Sequence, residues 1–249
     1  MRDMFFNGMT INVEGTEESY HTLNDWGLYV SNTDYIKEPK QYTKYIEIPG
    51  RNGLLDVSEV VAGRQIYTSR QIEVELSGIR EKKNWDSVIS SFRNKINGKV
   101  CRIIFDNDRA HYWRGRITIK DFSSSLRVGT FKIDIPNADP YKYELFSSTE
   151  PRVWDTFNFE TGIITYIGAI TVSGSETVTL PHGHMPTCPD FVVSNKTSST
   201  FTVTYGSETF ELSTGSNKIP SIYVGGDDDV ELTFTGSAIV EIVYRSGSL

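Results

Sequence analysis

The stretch Ile135-Pro136-Asn137-Ala138-Asp139-Pro140-Tyr141 divides the chain into halves of different character. Before it lie strand-like runs, one helical pattern and most of the basic residues. After it comes a Thr/Ser/Gly-rich series of short alternating runs with few Lys or Arg. Proline lacks a backbone donor and biases the residue before it toward extended backbone, so a strand arriving at Ile135 is expected to stop there. Residues 136–150 therefore read as a seam between a first domain, residues 1–140, and a second, residues 151–249, with 141–150 as linker. In a chain of 249 residues each part is long enough to bury a core.

Upstream of the seam, residues 82–97 carry Trp85, Val88, Ile89, Phe92 and Ile96 at helical spacing, with charged and polar residues on the other side. Asn84 is placed as an N-cap and Gly98 as a left-handed C-cap. One amphipathic helix needs a sheet to cover. Residues 100–105 and 111–119 supply a hairpin around Asp106-Asn107-Asp108-Arg109, and residues 126–135 add a further strand. Residues 71–76 alternate, with Ile72, Val74 and Leu76 on one face. The first domain is expected to be a sheet-rich α+β unit.

Nearer the start, residues 5–13 read as a strand around Asn7-Gly8, and residues 20–30 as a loop entering a strand. Trp26 is expected as a core anchor and Gly27 as a point of close backbone approach. Residues 42–48 alternate, and Pro49-Gly50-Arg51-Asn52-Gly53 is a turn. Beyond it, Leu54, Leu55, Val57, Val60, Val61 and Ile66 are scattered among charges with no period. Residues 54–70 are expected to be an extended subunit-contact arm, mobile in the free chain and ordered against a neighbour.

Downstream, β-type runs recur at 154–160, 163–172, 177–180, 191–194, 201–205, 209–212, 221–224, 230–234 and 239–244, separated by clusters such as Thr214-Gly215-Ser216-Asn217. This pattern predicts an all-β sandwich anchored by Trp154 and Phe157.

The totals exclude several classes. Net charge is -7 and the isoelectric point about 5.2, which leaves no electrostatic footprint for gripping nucleic acid or anionic lipid. The longest apolar run, residues 163–172, is about half a membrane span, and Met4-Phe5-Phe6, after Arg2 and an acidic Asp3, is too short for the apolar core of a secretory signal. The chain is expected to stay in the cytosol where it is made. Cys101 and Cys188 fall on opposite sides of the seam, as reduced, buried, apolar-like residues rather than a disulfide.

No catalytic, cofactor or metal site is expected. His182, His184 and Cys188 lack a fourth ligand and a usual zinc spacing, so they read as a proline-stiffened loop. Asp227-Asp228-Asp229 reads as a solvated turn, and Asp106 and Asp108 as turn residues rather than acid and base. No nucleophile triad, phosphate loop or dinucleotide fingerprint occurs. Trp154, Phe157, Phe159 and Tyr166 read as a buried strand face; Trp154, Phe157 and Tyr166 are the weaker alternative, a sugar platform. Arg51, Arg70, Arg114 and Arg116 are assigned to salt bridges between subunits rather than to DNA.

Several stretches together resemble the distal tail proteins of long, non-contractile-tailed bacteriophages. They are residues 20–27, Ile48-Pro49-Gly50-Arg51-Asn52-Gly53-Leu54-Leu55-Asp56, Ile96-Asn97-Gly98-Lys99, Tyr112-Trp113-Arg114-Gly115-Arg116, Asp139-Pro140-Tyr141-Lys142, and the chain end from Val240 to Leu249. The resemblance implies a hexameric ring at the tail tip, built in the host cytoplasm and carried in the virion. One face would meet the major tail tube protein and the other the tail-associated tip protein and a receptor-binding protein, with DNA passing through the channel unbound. It also implies a galectin-like or carbohydrate-binding-module-like second domain. The alternative from another class is an adhesin that grips host surface polysaccharide, with a glycosidase as a remoter one.

Overall fold

The computed structural model describes residues 7–60, 62–79, 84–125, 127–150 and 166–249. The chain divides into two units, Met1–Asp108 with Tyr112–Pro140, and Arg109–His111 with Tyr141–Leu249.

The first unit contains β1 (Met9–Val13), β2 (Ser19–His21), α1 (Thr22–Trp26), β3 (Tyr29–Val30), β4 (Tyr45–Glu47), β5 (Leu54–Asp56), β6 (Arg70–Ile79), α2 (Trp85–Ile96), β7 (Val100–Phe105), β8 (Asp108–Arg116, save Arg109–His111), β9 (Thr118–Ser124) and β10 (Val128–Ala138). Strands β3, β6, β10 and β9 form one antiparallel sheet in that order; β2, β1, β7 and β8 lie side by side in another. As the helical spacing predicts, Trp85, Val88, Ile89, Phe92 and Ile96 of α2 are all buried, and so are Ile72, Val74 and Leu76 of β6. Aromatic packing joins the helix to the sheet: Phe131 of β10 stacks on Phe92 at 5.5 Å between centroids and meets Phe122 of β9 at 5.3 Å.

Local details depart from expectation. Asn84 makes no side-chain capping bond, but Gly98 is left-handed (φ 76°), as a residue just past a helix end should be. Residues 22–26 are a short helix rather than a loop, with the His21 ring accepting from the Asn24 amide. Gly27 serves as its left-handed cap, φ 62°, and is also a point of close approach, since a Cβ on Gly78 would stand 2.9 Å from its carbonyl oxygen. The first strand begins only at Met9. The β7–β8 turn is tighter than expected because β8 starts at Asp108.

The strand expected to stop at Ile135 does not. β10 pairs with β6 from Val128↔Ile79 to Ile135↔Ile72, shifts register, and resumes at Ala138↔Arg70. Pro136 sits in that irregularity, where no ladder hydrogen bond is asked of its missing N–H. Gly115 of β8 packs directly on the same bulge: a Cβ there would collide with Ile135 and stand 3.0 Å from the Ala138 Cα.

The described second unit is all-β: β11 (Lys142–Glu144), β12 (Ala169–Leu180), β13 (Asp190–Ser194), β14 (Thr202–Tyr205), β15 (Glu208–Glu211), β16 (Gly215–Lys218), β17 (Val230–Val243) and β18 (Gly247–Ser248). β17 is the centre, with β12 along one edge and β14 and β13 along the other. Its core holds Phe191, Phe201, Val203, Leu232, Phe234 and Ile242, all fully buried.

Four expectations are corrected here. The runs at 163–172 and 177–180 belong to one strand where described, β12, and those at 230–234 and 239–244 to β17; Gly174 and Gly236 face each other across the ladder at φ 94° and 128° and break the alternation. Residues 215–218 form a strand rather than a turn, paired with β13. Residues 221–224 carry only an isolated bridge, Thr187↔Val224. Residues 141–150 are no free linker: they hold β11, and the buried Ser148 Oγ donates to the Ile242 carbonyl at 2.6 Å and accepts from the Tyr244 amide at 3.0 Å. Trp154, Phe157 and Phe159 lie outside the described residues.

Candidate assembly surface

Residues 54–70 are one leg of a longer feature. Residues 36–42 run antiparallel to 66–72, through the bridges Ile36↔Ile72 and Gln41↔Tyr67 and the hydrogen bonds Lys37 N to Gln71 O (2.9 Å), Thr68 N to Lys40 O (2.8 Å) and Tyr42 N to Ile66 O (2.8 Å). Farther out, β4 and β5 pair as Tyr45↔Asp56, Ile46↔Leu55 and Glu47↔Leu54. The expected turn closes the tip, with Gly50 and Gly53 left-handed (φ 82° and 79°). Ser58 pins the two legs: its Oγ accepts from the Lys44 amide at 2.8 Å, and its amide donates to Asp56 Oδ1 at 2.9 Å. The Ser58 hydroxyl also donates to Asp56 Oδ1, and the hydroxyl and amide together hold the Asp56 carboxyl below its ordinary range. Residues 36–72 thus form a two-legged β-ribbon rather than an elementless arm.

The ribbon is apolar and uncovered. Leu54 is 59% exposed, Val60 74% and Tyr45 53%, and Tyr42, Ile46, Ile48 and Ile66 are exposed too. Leu55 and Val57 are half-buried, and Val61 lies outside the described residues. Single exposed apolar side chains are ordinary, but a cluster on one projection marks an interaction surface. Sequence reasoning missed Tyr42, Tyr45, Ile46 and Ile48. Their alternation is legible, yet it says only that one face is apolar and not that the face lacks a cover.

The other candidates resolve into local structure. Asp106 Oδ2 accepts from the Gly8 amide at 2.7 Å, and Oδ1 lies 3.2 Å from His21 Nε2, so this carboxylate fastens the chain start and the α1 cap to the β7–β8 turn. Asp108 opens β8. His182 meets Asp229 through its amide (2.7 Å) and Nδ1 (2.8 Å), and these bonds hold the Asp229 carboxyl below its ordinary range. His184 is exposed, while the half-buried Cys188 points its thiol at the Ile219 carbonyl. Among the described residues no three His, Cys, Asp or Glu converge on a common point. Burial pushes the Cys101 thiol up to about 11, so it behaves as a small apolar residue. No helix among the described residues is long and apolar enough to cross a membrane.

Three of the four arginines assigned to subunit contacts act within the chain. Arg114 grips Glu14 with Nε to Oε1 at 3.0 Å and Nη2 to Oε2 at 2.8 Å, and its Nη1 lies 3.6 Å from Asp139. Hydrogen bonding to Arg114 holds the Glu14 carboxyl below its ordinary range. Arg116 donates to the Gly98 carbonyl, and Arg70 is buried. Arg51 lies exposed at the ribbon tip.

No protein-family model matches the chain. No curated protein matches it either. Solved structures do: the Dit protein (gp 19.1) of SPP1, whose crystal structure is described as a paradigm of the hub adsorption apparatus in phages infecting Gram-positive bacteria, superposes with a TM-score of 0.56. The fold is Dit-like. The match covers 95% of this chain and 98% of SPP1 Dit at 13% sequence identity, so the likeness is one of fold across both units. Of the aromatic residues weighed as a sugar platform on this Dit-like fold, Tyr166 is exposed, while Trp154 and Phe157 lie outside the described residues.

Proposed function

We propose that the chain is a non-enzymatic hub of a phage tail tip, carried in the virion and closed into a hexameric ring. The likeness to SPP1 Dit supports this reading because it extends over nearly the whole of both chains rather than one module. The ribbon supplies the means: an apolar projection on one subunit meets a different patch on the next, and such a head-to-tail contact closes into a ring when its rotation does. One face of the ring joins the tail tube and the other the tip and host-recognition proteins. DNA passes through a channel lined by an acidic chain that has no reason to hold it.

The solution mass of the purified full chain tests the ring. Light scattering is expected to give six times the 28.1 kDa of one chain, with six-fold particles under negative stain. A single-chain mass at every concentration would remove self-assembly from the proposal.

A further inference from the structure

Arg70 opens β6 at the root of the ribbon and is only 3% exposed. Its guanidinium lies over the Trp113 ring, 4.4 Å from the centroid, which covers one face of the group. Neither Nε nor Nη2 has a hydrogen-bond partner among the described residues. Their N–H groups point the same way along one edge of the plane, the edge that holds a carboxylate by two parallel bonds. Arg114 shows that edge filled, by Glu14. Arg70 shows it empty. A guanidinium does not escape this by losing its proton, and a buried charge without a partner is strongly disfavoured.

An acid stands opposite. Between the bonds Lys37 N to Gln71 O and Thr68 N to Lys40 O, two residues are left on each leg, Glu38 and Pro39 on one and Ser69 and Arg70 on the other, which sets Glu38 across the ribbon root from Arg70. Burial holds the Arg70 guanidinium below its ordinary range, and the charge of the exposed Glu38 works against that.

We propose that the Nε/Nη2 edge of Arg70 is a carboxylate-binding site and that its occupant is the Glu38 side chain of the same chain, which clamps the two legs of the ribbon at their root. The clamp is a property of the single chain and stands or falls apart from the hub reading.

Hydrogen exchange on the full chain, followed in peptides covering residues 36–42 and 66–72, tests it through Glu38→Gln, Arg70→Met and the double variant. Losing a charge-assisted bond is expected to speed exchange about tenfold in Glu38→Gln, and less than about twofold when Arg70→Met is already present. Equal acceleration in both backgrounds would overturn the pairing. So would a coupling that vanishes on dilution, since the acid would then come from a second copy. Should Arg70→Met not fold, a small free carboxylate decides. With Glu38→Gln, replacing chloride by acetate at constant ionic strength is expected to slow root exchange toward the wild-type rate, with no change in the wild type. Identical exchange in the two salts would overturn the site.

Discussion

Replacing Tyr45, Ile46 and Leu54 together by serine is expected to leave the chain folded and to keep it monomeric at concentrations where the wild type assembles. The three side chains lie on the paired strands β4 and β5 and face solvent, so their removal takes little from the core. Exposed substitutions of this kind cost within about 0.5 kcal/mol each. Assembly depends on them differently. Fully burying one large apolar side chain contributes about 1.5–3 kcal/mol, and these three are about half exposed, so losing them weakens each subunit contact by roughly 3 kcal/mol, on the order of a hundredfold. In the proposed ring every contact would carry the same loss. Light scattering reads the mass and circular dichroism the fold; a variant that still assembles like the wild type would move the interface off the ribbon.

Phe131→Ala is expected to have the largest effect on stability, lowering that of the first unit by about 3–5 kcal/mol, the range for truncating a buried Phe. Phe131 is where three elements meet. It stacks on Phe92 of α2 at 5.5 Å, meets Trp85 of the same helix edge-on at 6.1 Å, and touches Phe122 of β9 at 5.3 Å. The cavity left by alanine would open on all of them, and a helix and two strands cannot close on it without breaking their own pairing. Such a loss is a large part of the 5–15 kcal/mol that holds a typical domain. Urea unfolding followed by tryptophan fluorescence measures it, since Trp26, Trp85 and Trp113 all lie buried in the first unit. A loss below about 1 kcal/mol would mean that Phe131 is not the keystone described.

The parts legible in the sequence are those fixed by local period. The α2 stripe and the inward face of β6 follow from spacings of 3.6 and 2, and both are buried where expected. Positions that depend on a distant partner were not legible. Pro136 signals a strand end by itself, but it is accommodated because β10 bulges against β6. Gly215-Ser216-Asn217 has the composition of a turn, yet pairs with β13, where Asn217 Nδ2 donates to the Phe191 carbonyl. Gly174 and Gly236 divide β12 and β17 in the sequence and face each other in the ladder. The arginines show the same limit: nothing local to Arg114 tells that its acid is Glu14, a hundred positions earlier.

The ribbon was half legible. Leu54, Leu55, Val57, Val60, Val61 and Ile66 stand out in the sequence because no local period explains them. Tyr42, Tyr45, Ile46 and Ile48 did not, because alternation looks the same on a covered strand and on a bare one. A hairpin whose two legs are both apolar and both exposed appears only once residues 36–42 are paired with 66–72.

The hub reading is tested most directly on the virion. Gold-labelled antibody raised against the purified chain is applied to intact particles of a phage that encodes it, and to particles whose tail tips have been opened by mild denaturant. The account predicts gold confined to the distal end of the tail. Gold along the tube, on the capsid or nowhere on either preparation would contradict it.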